Sequence, residues 1–221
     1  MGGSCRQRLD HAARARRVRS RDSQERRSFV GVAAMLKVSP VAPASFPDLP
    51  KVAGVRFATA AAGIKYKGRT DVMLAELIEG SAIAGVYTKS ATRSAAVLDC
   101  QAKTGGAAAG KAAILVNSGN SNAFTGRNGI ASVEAITKAA GVALGIDPAR
   151  IFTSSTGVIG EPLPHDRIID KLNELGANLN ADGIGDAAKA ILTTDTFPKG
   201  SFAVVDVDGT AVTIPASPRA R

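Results

Sequence analysis

Short apolar runs bounded by glycine, interleaved with stretches of helical periodicity, constrain the fold of this chain more than any other feature. Residues 112–117, Ala-Ala-Ile-Leu-Val-Asn, follow one glycine and precede another, which predicts a buried strand. Apolar residues between Ile130 and Leu144 keep helical spacing up to Gly145, which predicts a helix that ends there. Residues 151–155 predict another strand. This alternation is typical of an α/β or α+β domain.

The same kind of pattern continues on both sides of these elements. Upstream it predicts strands, and downstream it predicts helices and then a hairpin. The elements are strands at residues 55–60, 72–78 and 83–88, a helix from near Pro164 that carries the apolar stripe Ile168, Leu172, Leu175 and Leu179, a shorter helix capped by Asp182 that runs to Leu192, and hairpin strands at 202–207 and 211–214 joined by Asp208-Gly209.

The positive charge of the chain is concentrated at its start. The chain has a formal net charge of +9, and residues 1–34 hold +6 of it through nine arginines and three acidic residues. This segment lacks apolar periodicity, which predicts a disordered, Arg-rich extension. It could be an RNA-binding arm whose affinity falls with salt, a mitochondrial or plastid presequence, or translated sequence upstream of a start at Met35. We favour the last, because three acids fit a presequence only loosely.

The sequence offers little basis for a metal, a cofactor or a membrane span. Cys5 and Cys100 are too few for a disulfide framework, and neither they nor the two histidines have metal-ligand spacing. We expect Cys100 to be buried and inert. Residues 105–111 match the spacing of a phosphate-binding loop, but Ala112 stands where Ser or Thr is needed and a strand follows. No apolar run approaches about 18 residues. We therefore expect no cofactor, no metal and no membrane or nucleic-acid partner.

Three polar turns are the candidates for a site. They follow apolar segments at residues 117–122, 154–157 and 193–199, and they are rich in Ser, Thr, Asn and Gly. Small hydroxyl and amide groups beside glycine can direct a hydroxyl and a backbone N–H to one point, as an oxyanion hole requires. Ordinary turn chemistry, in which these side chains bond to their own backbone, explains the same composition and is the more frequent case.

Six segments together resemble the ornithine acetyltransferase family, the glutamate N-acetyltransferases of arginine biosynthesis, some of which are bifunctional. They occur in order and at plausible spacing between about Leu36 and about Ile214. The segments are Val-Ala-Gly-Val-Arg-Phe at 52–57, Gly-Arg-Thr-Asp-Val-Met at 68–73, Ala-Gly-Val-Tyr-Thr at 84–88, Leu-Val-Asn-Ser-Gly-Asn at 115–120, Ser-Thr-Gly-Val-Ile-Gly at 155–160 and Ala-Ile-Leu-Thr-Thr-Asp-Thr-Phe-Pro-Lys at 190–199. The resemblance implies the layered, N-terminal-nucleophile-like α/β fold of that family, and only its α-chain part.

The resemblance also implies a covalent mechanism. Family members cut themselves between an Ala and a Thr, and the new N-terminal Thr attacks the acetyl group of N-acetylornithine with its own amine as the base. The acetyl group passes to glutamate, and bifunctional members also accept acetyl-CoA. Carried over by motif, the Thr156 hydroxyl and the Gly157 N–H would form the oxyanion hole, and Thr193 would contact the substrate. Asn117 and Asn120 lie in a shared motif, with no role assigned.

The end of the sequence departs from the family pattern. After the hairpin, family members continue with a segment resembling Ala-Gly-Ile-Ala-Lys-Gly-Ser-Gly-Met-Ile and then the Ala-Thr cleavage site, whereas residues 215–221 are Pro-Ala-Ser-Pro-Arg-Ala-Arg. Deleting one base from GC-rich codons for Ala-Gly-Ile-Ala-Lys-Gly yields Pro-Ala-Ser-Pro-Arg-Ala, so we expect an aberrant, frameshifted tail after a family domain at residues 35–214.

Two kinds of function follow from this departure. By family, the protein is a cytoplasmic acyltransferase whose α chain pairs with a β chain, two of each. Because the nucleophilic Thr is missing from these residues, the 221-residue chain alone is expected to be inactive. The alternatives are a non-catalytic truncated fragment and a nucleic-acid-binding protein led by the Arg-rich segment.

Overall fold

A four-stranded sheet in the order β1-β2-β3-β4 organises the fold in the computed structural model. The structure describes residues 38–106 and 109–217, which belong to the compact unit Lys37–Arg221. The extension predicted at residues 1–34 lies outside the described residues. The elements are β1 (Val55–Ala60), β2 (Val72–Leu77), α1 (Ala95–Lys103), β3 (Ala112–Asn120), α2 (Gly126–Leu144), a 3₁₀ turn (Pro148–Arg150), β4 (Ile151–Val158), α3 (His165–Ile169), α4 (Leu172–Ala177), α5 (Ile184–Ala190), β5 (Ser201–Val207) and β6 (Thr210–Ala216).

The sheet combines both kinds of strand pairing. β1 pairs with β2 and β2 with β3 in antiparallel fashion, whereas β3 and β4 are parallel. Parallel neighbours need a crossover, and α2 provides it. Gly145 ends α2 in the left-handed conformation, at φ 65°, as the sequence predicts.

The core lies between one face of the sheet and helices α2, α3 and α4. Strand residues such as Leu74 and Ile151 meet the helix residues Ile168 and Leu175, and all four are less than 2% exposed. Burying each of these side chains contributes about 1.5–3 kcal/mol relative to leaving it in water. Three members of the predicted apolar stripe are buried, although the helix that carries them is split into α3 and α4.

Two elements differ from the sequence-based prediction. Residues 83–88 form no strand; the Tyr87 hydroxyl instead bonds to Thr104 and to the carbonyl of Cys100, and Val86 is fully exposed. Helix α1 was not predicted. Ser94 caps it by accepting a bond from the Val97 N–H at 3.4 Å, and its few buried side chains are small, so its apolar periodicity is faint.

The start of α5 also corrects a prediction. Gly183, and not Asp182, is the residue before its first turn, and the helix ends at Ala190. Asp182 forms an ion pair with Lys51 at 2.8 Å instead. The free energy of an exposed ion pair is small and similar to that of a helix cap. The local sequence pattern therefore does not decide which of the two contacts Asp182 makes.

The hairpin of β5 and β6 is present where the sequence predicts it. Asp208 and Gly209 have φ of 51° and 80°, the pair of positive values that a type I′ turn requires. β6 continues two residues past Ile214, with Pro215 opposite Phe202 and Ala216 opposite Ser201.

Candidate active site

Two facing glycines distort the carboxyl ends of β3 and β4. Gly119 and Gly157 are register partners with φ of 101° and 131°, and the pairing shifts register at Asn120, which faces both Thr156 and Val158. A Cβ on Gly157 would lie 2.3 Å from the carbonyl carbon of Gly119. Only glycine permits this approach. The polar segments at 117–120 and 154–157, expected to be turns, are therefore the ends of paired strands.

A cleft of about 250 Å³ opens at this distortion. Four segments line it: the loop before β2, the end of β3, the end of β4 and the loop after α5. The lining residues are Lys65, Tyr66, Arg69, Asp71, Ser118, Gly119, Gly157, Val158, Thr193 and Thr194. Gly157 and Thr193, two residues selected by the resemblance, are thus brought to one cleft although 36 positions separate them in the sequence.

Ser118 joins three of the four walls. Its backbone N–H donates to the carbonyl of Asp71 at 2.8 Å, and its hydroxyl donates to the carbonyl of Ala190, the last residue of α5, at 2.8 Å. The side chain is 1% exposed, so both bonds are shielded from water. This residue therefore holds the loop before β2 and the loop that carries Thr193 against the end of β3.

The Asp71 carboxylate organises the loop before β2. It is 4% exposed and accepts hydrogen bonds from the backbone N–H groups of Ala62 at 2.7 Å and Ile64 at 2.6 Å. Bonds to an ionised acceptor are about twice as strong as neutral ones. Asp71 is thus occupied in shaping the cleft wall that carries Lys65 and Arg69.

The cleft lining contains two cationic side chains, Lys65 and Arg69, and one anionic side chain, Asp71. Lys65 Nζ contacts both carboxylate oxygens of Glu161, at 2.9 and 2.8 Å. Arg69 is half-buried and has no hydrogen-bond or ion-pair partner among residues 38–106 and 109–217. Since Lys65 pairs with Glu161 and the Asp71 carboxylate oxygens accept backbone N–H bonds, Arg69 is the charged lining residue whose hydrogen-bonding groups remain open to a ligand.

Asn117 and Asn120 do not line the cleft, and their side chains hydrogen-bond to neighbouring parts of the fold. The Asn117 amide donates to the Asn120 carbonyl at 2.8 Å, and its oxygen accepts from the Ser155 hydroxyl at 2.7 Å. The Asn120 amide donates to the carbonyls of Glu161 and Pro162 at 3.1 and 3.3 Å. Both side chains thus hold the irregular ends of β3 and β4 in place.

Thr156 lies next to the cleft but not in its lining. It is 3% exposed, whereas Gly157 is exposed. The two residues alternate across the strand, as consecutive strand residues do. Of the two groups expected to form an oxyanion hole, the structure presents the glycine to the cleft and buries the threonine.

Half of the cleft lining lies in the three polar segments that the sequence selects as candidates: Ser118, Gly119, Gly157, Thr193 and Thr194. The other half was not selected, although Arg69 and Asp71 lie within the motif at 68–73, which was the available signal. Lys65 has none, since a lysine in a glycine-rich loop is an ordinary surface residue.

Two titratable groups outside the cleft have shifted pKa values. Burial alone would raise the pKa of the Glu76 carboxyl, but hydrogen bonds from Arg56 and Lys111, with their charges, lower it overall. Burial raises the pKa of the Cys100 thiol, which lies 3.2 Å from the Thr153 carbonyl. The expectation that Cys100 is buried is confirmed. The described residues hold no cluster of His, Cys, Asp or Glu suited to a metal, and none of their helices is long and apolar enough to cross a membrane.

Comparison with known proteins identifies close similarity to one family. The model of the ArgJ family matches residues 56–217. The arginine biosynthesis bifunctional protein ArgJ of Ruegeria pomeroyi is 60% identical over 183 residues, which are 83% of this chain and 45% of that protein. The protein of the same name from Agrobacterium fabrum is 50% identical over 80% of this chain and 42% of its own length. This chain therefore spans less than half the length of these curated relatives.

Two solved structures share the fold. A crystal structure of the arginine biosynthesis bifunctional protein ArgJ from Bacillus halodurans matches with a TM-score of 0.69 and 30% identity, covering 76% of this chain and 87% of the matched one. A structure of ornithine acetyltransferase in complex with ornithine, from Mycobacterium tuberculosis, matches with a TM-score of 0.68 and 31% identity, covering 76% and 89%. The expected α/β fold is confirmed by this likeness.

Proposed function

This chain belongs to the ArgJ family, and from that premise we propose that it forms the α-chain part of a glutamate N-acetyltransferase of arginine biosynthesis. The observation that carries the proposal is the meeting of Gly157 and Thr193 in one cleft. The substrates would be N-acetylornithine and glutamate, and we extend the proposal to acetyl-CoA as a second acetyl donor. The reaction would take place in the cytoplasm.

The proposed chemistry is acetyl transfer through an ester. A threonine hydroxyl, supplied by a family segment outside these 221 residues, attacks the acetyl carbonyl of N-acetylornithine and loses its proton to the base. The base passes this proton to the amide nitrogen as the C–N bond breaks, and ornithine leaves as a free amine. The amine of glutamate then attacks the ester, and its proton passes through the same base to the threonine oxygen as the C–O bond breaks, which restores the hydroxyl.

The residues of this chain would stabilise and position the reacting groups. We assign the Gly157 N–H as one oxyanion donor, with Thr193 in contact with the substrate. The adjoining Thr156 hydroxyl is assigned as the second donor, and this assignment requires its side chain, buried beside the cleft in this structure, to turn toward the cleft in the assembled enzyme. Removing one such donor costs about 10²–10³ in kcat. The glycine pair supports this assignment, because it frees the end of β4 from regular pairing at that point.

A co-production experiment tests the proposal. The 221-residue chain would be produced with the remaining part of the Ruegeria pomeroyi relative, and the pair assayed with N-acetylornithine and glutamate. We expect turnover by the pair and none by the chain alone. Thr193→Val should lower kcat/KM strongly. Thr92→Val, the same change at an exposed residue outside both the cleft lining and the hairpin, should leave it unchanged. A pair that assembles without turnover would refute the proposal and favour a non-catalytic fragment.

The partner in this proposal is the second half of the family protein, in an assembly of two α and two β chains. The hairpin of β5 and β6 supports it, because the hairpin exposes apolar side chains on both of its strands. Val204 is 59% exposed and Phe202 is 47% exposed. Apolar area of this kind marks an interaction surface. The relatives are more than twice as long as their match to this chain, so they have a segment that could cover it.

Substitution of matched exposed valines tests this interface. Val204→Asp on the hairpin should abolish co-purification of the two parts in size-exclusion chromatography with light scattering. Val142→Asp on α2, where the valine is 84% exposed, should not affect it. Equal behaviour of the two variants would contradict the proposed interface.

A further inference from the structure

One cation of the cleft is left without an ion-pair partner in the described part of the chain. Arg69 lines the cleft that contains Gly157 and Thr193, and it is half-buried. The other charged groups of the cleft are already engaged. Lys65 pairs with Glu161, and the Asp71 carboxylate accepts two backbone N–H bonds. Among residues 38–106 and 109–217, no group forms an ion pair with Arg69 or accepts a hydrogen bond from it.

Such an arrangement suits a ligand carboxylate. Guanidinium presents five donors in a planar fork that matches a carboxylate with two parallel hydrogen bonds. A cation partly shielded from water interacts more strongly with an anion than one on the open surface does. Because the loop is held by the buried Asp71, Arg69 is attached to a fixed wall rather than to a mobile one, which lowers the ordering cost of binding.

We propose that Arg69 binds the α-carboxylate of the amino-acid substrates. This inference rests on the proposed function. In that reaction N-acetylornithine, the acetyl donor, and glutamate, the acetyl acceptor, react one after the other with the same threonine. We therefore expect one site to bind the chemical group that both molecules have. N-acetylornithine and glutamate share an α-carboxylate, and Arg69 is the cation that the described part of the chain leaves without an ion-pair partner in the cleft. The α-carboxylate keeps its charge throughout acetyl transfer, so a contact with it stabilises the bound substrate and the transition state alike, and Arg69 contributes to binding rather than to the chemical step.

The test separates binding from chemistry. In the co-produced pair, Arg69→Gln should raise KM for both N-acetylornithine and glutamate about 10- to 100-fold with little change in kcat, as expected for loss of charged hydrogen bonds. Arg69→Lys keeps the charge without the fork and should give an intermediate KM. Lys67→Gln, an exposed cation of the same loop outside the cleft lining, should give the wild-type KM.

A substrate analogue identifies the group that Arg69 contacts. The wild-type pair should bind N-acetylornithine more tightly than its α-amide, and Arg69→Gln should treat the two alike. A variant that still prefers the carboxylate by the wild-type factor would overturn the inference. Urea denaturation checks that Arg69→Gln folds with wild-type stability.

Failure of the inference and failure of the proposed function give different results. If the wild-type pair shows no turnover, the proposed function fails, and ligand-observed NMR with N-acetylornithine and its α-amide on the 221-residue chain decides the role of Arg69. Binding by wild type that Arg69→Gln loses would support a carboxylate site. No binding by wild type, or equal binding by both, would overturn it.

Discussion

Replacing Gly157 with alanine probes the closest backbone approach in the site. Gly157 has a φ of 131°, and an added Cβ would lie 2.3 Å from the Gly119 carbonyl carbon and 2.6 Å from the Asn120 nitrogen. All of these are backbone atoms of a paired strand, so no side-chain rotation relieves the contact. The ends of β3 and β4 would have to separate.

The expected loss of stability has two parts. A positive φ costs an L-residue about 1–2 kcal/mol. Forcing extra volume into packed structure costs about 1–3 kcal/mol more. Gly157→Ala should therefore lower the free energy of unfolding by about 2–5 kcal/mol. Gly160→Ala isolates the cost of the positive φ, because Gly160 has a φ of 81° and an added Cβ would have no atom within 4 Å. Gly160→Ala should lose only about 1–2 kcal/mol.

Urea denaturation followed by far-UV circular dichroism measures both variants. A midpoint for Gly157→Ala that falls well below that of Gly160→Ala, at equal m-value, would agree with the close approach of the two strands. If the two midpoints coincide, β3 and β4 are not packed as described, and the argument for glycine at this place in the site is wrong.

Three further perturbations address the surroundings of the site. Asp71→Ala leaves two buried N–H groups without their acceptor and should cost about 2–4 kcal/mol in urea denaturation, with Asp71→Asn losing less; equal losses would refute the reasoning. Because Arg56 and Lys111 lower the pKa of Glu76 in the fold, wild type should lose stability as pH falls below the unfolded value of about 4.5. Glu76→Gln should lack that component, and identical pH profiles would contradict it. Alkylation of Cys100, followed on its peptide by mass spectrometry, should be at least about tenfold slower in the folded chain than in urea; equal rates would refute its burial.

Local patterns predicted those elements whose boundaries are marked by residues of special backbone chemistry. Gly145 ends α2, and Asp208-Gly209 turns the hairpin, because positive φ is required at both places. Helix α1 lacks such a signal, since its buried face consists of small side chains. At residues 83–88 the strand-like alternation is present, but pairing depends on a neighbouring strand, and no local pattern shows whether one lies there.

The cleft itself could be predicted only in part, because its walls meet through contacts that a linear pattern does not contain. The motif resemblance selected Gly157 and Thr193. Their segments are held together by Ser118, which hydrogen-bonds to one residue 47 positions before it and to another 72 positions after it. A serine between Asn117 and Gly119 has the same sequence signature whether its hydroxyl bonds to its own turn or to the end of a distant helix.

The role proposed for Arg69 likewise depends on contacts that its position in the sequence does not show. In sequence, an arginine between Gly68 and Thr70 is one charge among many on a basic chain. In the structure it is the cleft cation that has no ion-pair partner among residues 38–106 and 109–217, because Glu161 pairs with Lys65 and backbone N–H groups bond to the Asp71 carboxylate. The hydrogen bonds and ion pairs of the neighbouring residues show that such a charge is available to a ligand. Those contacts join several segments of the chain, so no single segment of the sequence reveals them.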